Sequence, residues 1–177
     1  MYIWFAIDVN DQVLNLRKGA ENYANSNQLV SPTFTLPFHI SLKISCEIAD
    51  ELYQSIVNDV RDLYKDLGPL EIEVKNLEQC GNIIWLTMQD NFKLRSFHNL
   101  LDLLFLDKYD IEQHEFDKNF IFHTSVLILD NEKHLQSAFN EIKKLELPTT
   151  LIGDKIIIGS SLTGEAGTYT VNEEILL

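Results

Sequence analysis

The chain has 177 residues, 45% of them hydrophobic, which is enough material for one substantial core. Its formal net charge of -13 argues against long duplex RNA or DNA as a ligand, because affinity for a polyanion comes mainly from Lys and Arg that neutralise phosphates. A small nucleotide, an RNA end or a phosphorylated metabolite would need only a local basic patch.

The predicted elements begin at the N-terminus with a strand. Residues 1–8 lack a basic region followed by a small-residue cleavage site, and no apolar run has the length of a membrane span, so we expect a cytoplasmic protein. Asn91 and Asn131 stand where helices are predicted to start, and Asn side chains cap helices well. Strands are predicted near residues 2–9, 37–46, 70–79, 82–89, 119–129, 150–160 and 167–176, and helices near 11–25, 50–66, 91–107 and 132–145.

This order indicates one strand-helix-strand-helix-strand unit used twice. The first strand of each unit carries an aromatic motif, Ile3-Trp4-Phe5 in one and Ile84-Trp85-Leu86 in the other, and we interpret both tryptophans as core landmarks. Two such units can pack about an approximate two-fold axis. Because each half alone would bury only a thin core, we expect a single domain over 1–177, with lobes near 1–81 and 82–177 that can exchange strands.

A five-residue pattern also recurs once in each unit. Phe38-His39-Ile40-Ser41-Leu42 in the second predicted strand is matched by Phe122-His123-Thr124-Ser125-Val126. Requiring the flanking hydrophobic residues as well as His-x-Ser makes a chance repeat improbable. Packing about a two-fold axis would bring the two patterns together at the centre of the fold.

Side chains alternate faces along a strand, so His39, Ser41 and Lys43 should share a polar face. The same parity puts His123 with Ser125 and leaves Thr124 as an irregularity on the inward side. Two imidazoles near neutral pH allow one base and one acid at the same time, which in-line displacement at phosphorus requires. Serine hydroxyls can then donate hydrogen bonds to the non-bridging oxygens, with Lys43 as a helper.

Two rival uses of these residues have less support. A covalent serine nucleophile would need one serine, one base and an orienting acid, whereas the pattern supplies two equivalent sets. A metal site would find only two nitrogen ligands here, and His98, His114 and His134 lack ligand-like spacing and are expected to be solvated. Cys46 and Cys80 form no CxxC pair and are expected to be reduced and buried.

Three further residues are candidates for substrate contact. Lys43 has the predicted face for a phosphate contact, although a lysine at a strand end is commonly a solvated rim charge. Phe34 and Tyr169 could stack on a nucleobase, with packing as the alternative role for each.

The two His-x-Ser-hydrophobic motifs, His39 to Leu42 and His123 to Val126, resemble the signature of the two-histidine phosphoesterases, which include 2′-5′ RNA ligases and RNA cyclic phosphodiesterases. The resemblance extends over the whole chain, including the opening strand and a closing hairpin over 156–177. Two departures are the serines, where threonine is common, and Thr124, where an aliphatic residue is usual. Neither removes a functional group.

The resemblance implies a bilobal α+β fold in which two antiparallel sheets line a central cleft and the helices lie outside. It implies a metal-independent and cofactor-free phosphodiesterase or ligase acting on 2′,3′-cyclic or 2′-5′ phosphodiesters of nucleotides or RNA ends. His39 and His123 would be its acid and base, and Ser41 and Ser125 its phosphate-binding hydroxyls. The direction of reaction, the role of each histidine and the oligomeric state stay open, and a non-catalytic module that binds a phosphorylated ligand or RNA end is the alternative.

Overall fold

Eight strands and four α-helices make up the fold in the computed structural model, which describes all 177 residues. Asn91 and Asn131 cap α3 and α4 as predicted, because their side-chain oxygens accept hydrogen bonds from backbone N–H groups of the first turn. Short 3-10 segments occupy Asn10–Val13, Pro32–Thr35 and Asp50–Leu52. The regular elements are Tyr2–Asp8 (β1), Leu14–Ser26 (α1), His39–Glu47 (β2), Tyr53–Tyr64 (α2), Leu70–Cys80 (β3), Ile83–Met88 (β4), Phe92–Tyr109 (α3), His123–Ile128 (β5), Glu132–Ile142 (α4), Thr150–Gly153 (β6), Lys155–Ser161 (β7) and Thr170–Leu176 (β8).

The strands form two four-stranded sheets in which every neighbouring pair is antiparallel. The first sheet has the order β2-β1-β7-β8 and the second has the order β5-β4-β3-β6. The two orders correspond strand for strand, so each tryptophan strand, β1 or β4, lies beside its own histidine strand, β2 or β5. The predicted α+β class with two antiparallel sheets is confirmed.

The sheets do not follow the division of the chain near residue 81. Strand β3 belongs to the first half of the sequence but pairs with β4 and β6, while β7 and β8 return from the second half to complete the first sheet. The two halves of the chain therefore exchange strands.

The single strand predicted over 150–160 is wrong, because two strands of different sheets occupy this segment. β6 pairs with β3, and after Asp154 the chain crosses to the first sheet and pairs with β1 as β7. Gly153 lies at this crossing, where an added Cβ would be 2.7 Å from Ile7 Cγ2. The sequence Gly153-Asp154-Lys155 interrupts the apolar residues of the segment, and this interruption was the signal of the crossing.

One hydrophobic cluster of 37 buried residues includes side chains from both sheets and all four helices. A second, small cluster of Trp4, Ala6 and Ile157 lies on the opposite face of the first sheet. The helices thus cover one face of the sheets, and the faces that carry the tryptophans are left for the cleft. Among the helices, none is both long enough and apolar enough to cross a membrane.

Candidate active site

The two motif histidines are the first residues of the two edge strands, β2 and β5. Phe38 and Ile40 are buried in the main core, as are Phe122 and Val126. His39 and Ser41 are only partly buried, as are His123 and Ser125. The predicted parity therefore holds over both pentapeptides, and it turns the imidazoles and hydroxyls away from the core.

Both imidazoles are held in the same way by the backbone. His39 Nδ1 lies 2.8 Å from the carbonyl oxygen of Pro37, and His123 Nδ1 lies 2.7 Å from that of Ile121. Because a carbonyl oxygen can only accept, Nδ1 carries the proton in the neutral ring. Each Nε2 is then left without a protein partner and can accept a proton or, once protonated, donate one.

A tryptophan packs against each histidine. The ring centroids of Trp85 and His123 are 4.1 Å apart with an interplanar angle of 23°, and those of Trp4 and His39 are 4.7 Å apart at 39°. Trp4 is buried in the small cluster with Ala6 and Ile157, as expected of a core landmark, whereas Trp85 is only partly buried. Both tryptophans also pack against the motif histidines, a role that the core interpretation did not include. Their equal positions in the sequence repeat were the signal that could have indicated this role.

The pKa of each motif histidine is lowered from its usual value. Burial is the main cause for His39, where the positive charge of His123 also lowers the pKa, while the Pro37 carbonyl and the charge of Asp8 act in the opposite direction. Burial likewise lowers the pKa of His123 and is partly offset by the Ile121 carbonyl. The charge of His123 thus affects His39, but burial is the larger cause at both rings.

The hydroxyl groups of Ser41 and Ser125 make no hydrogen bond within the protein, whereas the neighbouring Thr124 hydroxyl donates to the backbone carbonyl of His39 over 3.0 Å. A pocket of about 160 Å³ is lined by residues of both motifs, among them His39 and Ser125. The pocket thus brings His39 of one motif and Ser125 of the other to one place. His123 and Ser41 do not line it, although His123 is near enough for its charge to affect His39.

Lys43 does not lie on the polar face that parity predicted for it. Phe5 pairs with Lys43 and the next residue of β1, Ala6, pairs with Ser41, so Leu42 is an extra residue that forms a β-bulge. After the bulge the alternation is reversed, and the Lys43 side chain is only 2% exposed. Lys43 is thus wrongly predicted as a phosphate ligand.

The Lys43 ammonium group is held instead by two carboxylates. Its Nζ lies 2.6 Å from Asp102 Oδ1 and 3.1 Å from Asp117 Oδ2. Burial lowers the pKa of Lys43, but the hydrogen bonds and charges of both carboxylates outweigh it and raise the pKa overall. Asp117 also accepts the backbone N–H of Ile44 at 2.9 Å, so this network fixes the strand just beyond the bulge.

His98 joins the same network and is buried, contrary to the expected solvated histidine. Its Nδ1 lies 2.7 Å from the Leu42 carbonyl, and its Nε2 lies 3.0 Å from the Asp117 carbonyl and 3.2 Å from Asp102 Oδ2. His98, Asp102 and Asp117 could together offer three ligand atoms to a metal ion. The Lys43 ammonium group, however, already lies against both carboxylates and supplies the positive charge there.

The two aromatic candidates differ in position. Tyr169 lines the pocket beside His39, although its hydroxyl lies 2.8 Å from Ser45 Oγ and its ring meets Trp4 edge to face. Phe34 packs against the main core and is not among the pocket residues, so its predicted stacking role is not supported by its position. Cys46 is partly buried, and Cys80 is exposed rather than buried as expected.

Comparisons with known proteins identify a family and several similar folds. A family model described as the 2′-5′ RNA ligase superfamily matches residues 29–165, a range that includes both motifs. A search of curated proteins gave no match.

Several solved structures share the fold. Escherichia coli LigT in complex with 3′-AMP is 15% identical with a TM-score of 0.63, and the match covers 99% of this chain and 97% of that one. TT0787 of Thermus thermophilus is 14% identical with a TM-score of 0.67 and coverages of 100% and 98%. Usb1 of Kluyveromyces marxianus is 9% identical with a TM-score of 0.54 and coverages of 99% and 98%.

Proposed function

Since the chain belongs to the 2′-5′ RNA ligase superfamily, we propose that it is a phosphoesterase acting on a phosphodiester of a nucleotide or an RNA end. The observation that carries the proposal is the matched pair of histidines, each with Nδ1 bonded to a backbone carbonyl and Nε2 free. General acid and base catalysis needs two such groups in reach of one phosphate. The family that the two motifs indicated in the sequence is therefore confirmed.

In the proposed reaction, one imidazole takes the proton of the attacking hydroxyl group or water through its free Nε2. The other imidazole, protonated at Nε2, gives its proton to the leaving oxygen on the opposite side of the phosphorus atom. The phosphate exchanges one P–O bond for another, and the proton count of the histidine pair is unchanged. The next turnover in the same direction requires the two histidines to exchange protonation states with solvent.

Ser41 and Ser125 are proposed as donors to the non-bridging oxygens. Their hydroxyl groups have no protein partner, so they can turn towards a bound phosphate without breaking an existing hydrogen bond. Lys43 takes no part in this role, because its ammonium group is buried between carboxylates. The site would thus bind a single phosphodiester through neutral donors and imidazoles, which suits a substrate of low charge.

The substrates we propose are 2′,3′-cyclic phosphodiesters and 2′-5′ linkages of nucleotides or short RNA ends. The family membership supports a substrate of this class, and E. coli LigT, which has a similar fold, has been crystallised with 3′-AMP and with ATP. The net charge of -13 disfavours long duplexes.

The test is a panel of 2′,3′-cyclic nucleotides, 2′-5′ oligonucleotides and RNA with a cyclic-phosphate end, incubated with metal-stripped protein in chelator. We expect turnover, and we expect His39→Gln and His123→Gln each to lower it by about 10²–10⁴-fold without changing the melting temperature greatly. No product from any substrate would overturn the enzyme proposal. If the intact protein and the double histidine variant then bind a panel member equally tightly, the chain is a binding module.

A further inference from the structure

The two histidines share one arrangement, but their aromatic partners are unequal. Trp85 lies nearly face to face with His123, whereas Trp4 is farther from His39 and tilted against it. The hydrogen bond from His123 Nδ1 is exposed, whereas that from His39 Nδ1 is partly buried. These differences affect which of the two imidazoles is protonated when the pair carries a single positive charge.

An imidazolium ring is attracted to the negative face of an indole ring, and the attraction is largest for close, parallel rings. The geometry at Trp85 therefore favours the charged form of His123 more than Trp4 favours that of His39. Hydration acts in the same direction, since the more exposed ring loses less solvation when it is charged.

The charge of Asp8 acts against this preference, because it raises the pKa of His39. Asp8 is directly opposite His39 on β1, but its carboxylate lies 3.0 Å from Lys155 Nζ and accepts the Asn10 backbone N–H at 2.9 Å. Lys155 is also bonded to Glu174 on β8. The other charge that affects His39 is that of His123 on β5, which lowers the pKa of His39.

The charged groups on the side of His123 are equally balanced. Strand β4 presents Thr87 and Trp85 to it, and both are uncharged. On β3, Glu78 is opposite Trp85 in the ladder, and Lys75 lies at the bulge of the same strand. Glu78, Lys75 and Asp90 line a second pocket beside Ile121 and Phe122, and Asp90 is paired with Arg95. Two acidic and two basic groups thus offset each other on this side, and stacking and hydration favour His123 against the charge of Asp8 at His39.

We propose that Trp85 and Trp4 are unequal positioning residues, which place the single proton of the half-protonated pair on His123 and leave His39 neutral. Two rings with equal surroundings would share that proton equally. The unequal stacking instead gives the resting site one defined base and one defined acid. This state can be measured whether or not the protein is an enzyme, although its effect on turnover rests on the proposed function.

The experiment follows the ring Cε1–Hε1 signals of both histidines by NMR from pH 8 downwards, with assignments from His39→Gln and His123→Gln. We expect His123 to take up the first proton. Trp85→Leu, which keeps an apolar neighbour but removes the indole face, should lower the titration midpoint of His123 by roughly half to one pH unit. Trp4→Leu is the matched control and should lower the titration midpoint of His39 by less. In Trp85→Phe, which keeps an aromatic face, the titration midpoint of His123 should stay closer to that of the unaltered protein.

Protonation of His39 before His123 in the unaltered protein would overturn the proposal. So would a Trp85→Leu variant in which the midpoint of His123 stays unchanged or rises. If Trp85→Leu does not fold, Trp85→Phe supplies the same comparison with a smaller expected shift. If no turnover is found but His123 takes up the first proton, the proposed function is rejected and the proposed order of protonation is retained.

Discussion

The Thr124 hydroxyl donates a hydrogen bond of 3.0 Å to the carbonyl oxygen of His39, and this bond links β5 of one sheet to β2 of the other. Thr124 is fully buried, so its hydroxyl group has no water as a substitute partner. The residue that is irregular in the second pentapeptide therefore ties the two motif strands together.

Replacing Thr124 by valine keeps the shape of the side chain but removes the donor. We expect the free energy of unfolding to fall by about 1 kcal/mol, because the His39 carbonyl loses its partner on the other sheet. Urea denaturation measures this change. Thr124→Ser is the control, since it keeps the hydroxyl; a valine variant as stable as the original protein would show that the bond contributes nothing.

The lowered pKa values of His39 and His123 predict how stability depends on pH. Between pH 6.5 and the lower folded-state pKa values, the unfolded chain binds more protons than the folded one, so the free energy of unfolding should decline as pH falls below 6.5. Denaturation midpoints at a series of pH values measure this slope. A double variant with glutamine at both positions should have a shallower slope, and an unchanged slope would contradict the assignment to these two rings.

Breaking the buried network at Lys43 should cost stability more than it alters substrate binding. Lys43→Met leaves Asp102 and Asp117 close together without their cation, and we expect a loss of about 3–5 kcal/mol. Under conditions in which the variant is still folded, KM should be unchanged. A large rise in KM would instead indicate that Lys43 contacts the substrate phosphate directly.

Gly159 allows Trp4 to approach strand β7. An added Cβ would lie 2.2 Å from Trp4 Nε1 and 2.6 Å from the backbone oxygen of Thr170, so Gly159→Ala must displace the indole ring. We expect altered NMR signals for His39 and smaller changes for His123, with reduced turnover. Gly81→Ala, at a turn with open space around it but a positive φ of 58°, serves as a control for a general loss of stability. Equal changes at both histidines would contradict this local effect.

The sequence was most informative where local pattern and long-range packing agree. The doubled pentapeptide predicted which side chains leave the core, because parity over five residues depends only on the strand conformation. Parity failed at Lys43, the residue that follows the first pentapeptide, since a bulge at Leu42 is set by pairing with β1 and by Asp117, which is 74 residues from Lys43. The role of the tryptophans was missed for a similar reason, because an apolar residue on a cleft floor has the same local pattern as one in a core.

Strand β1 lies between β2 and β7, so Trp4 and Gly159 are direct partners across a ladder although most of the chain separates them. During synthesis the first sheet therefore cannot be completed, and one edge of β1 stays unpaired, until residues 155–176 have left the ribosome. Contacts of such long sequence separation slow folding. The cleft should thus be among the last features to form, and a nascent chain that carries both histidines but lacks this hairpin should expose its strands to chaperones and proteases.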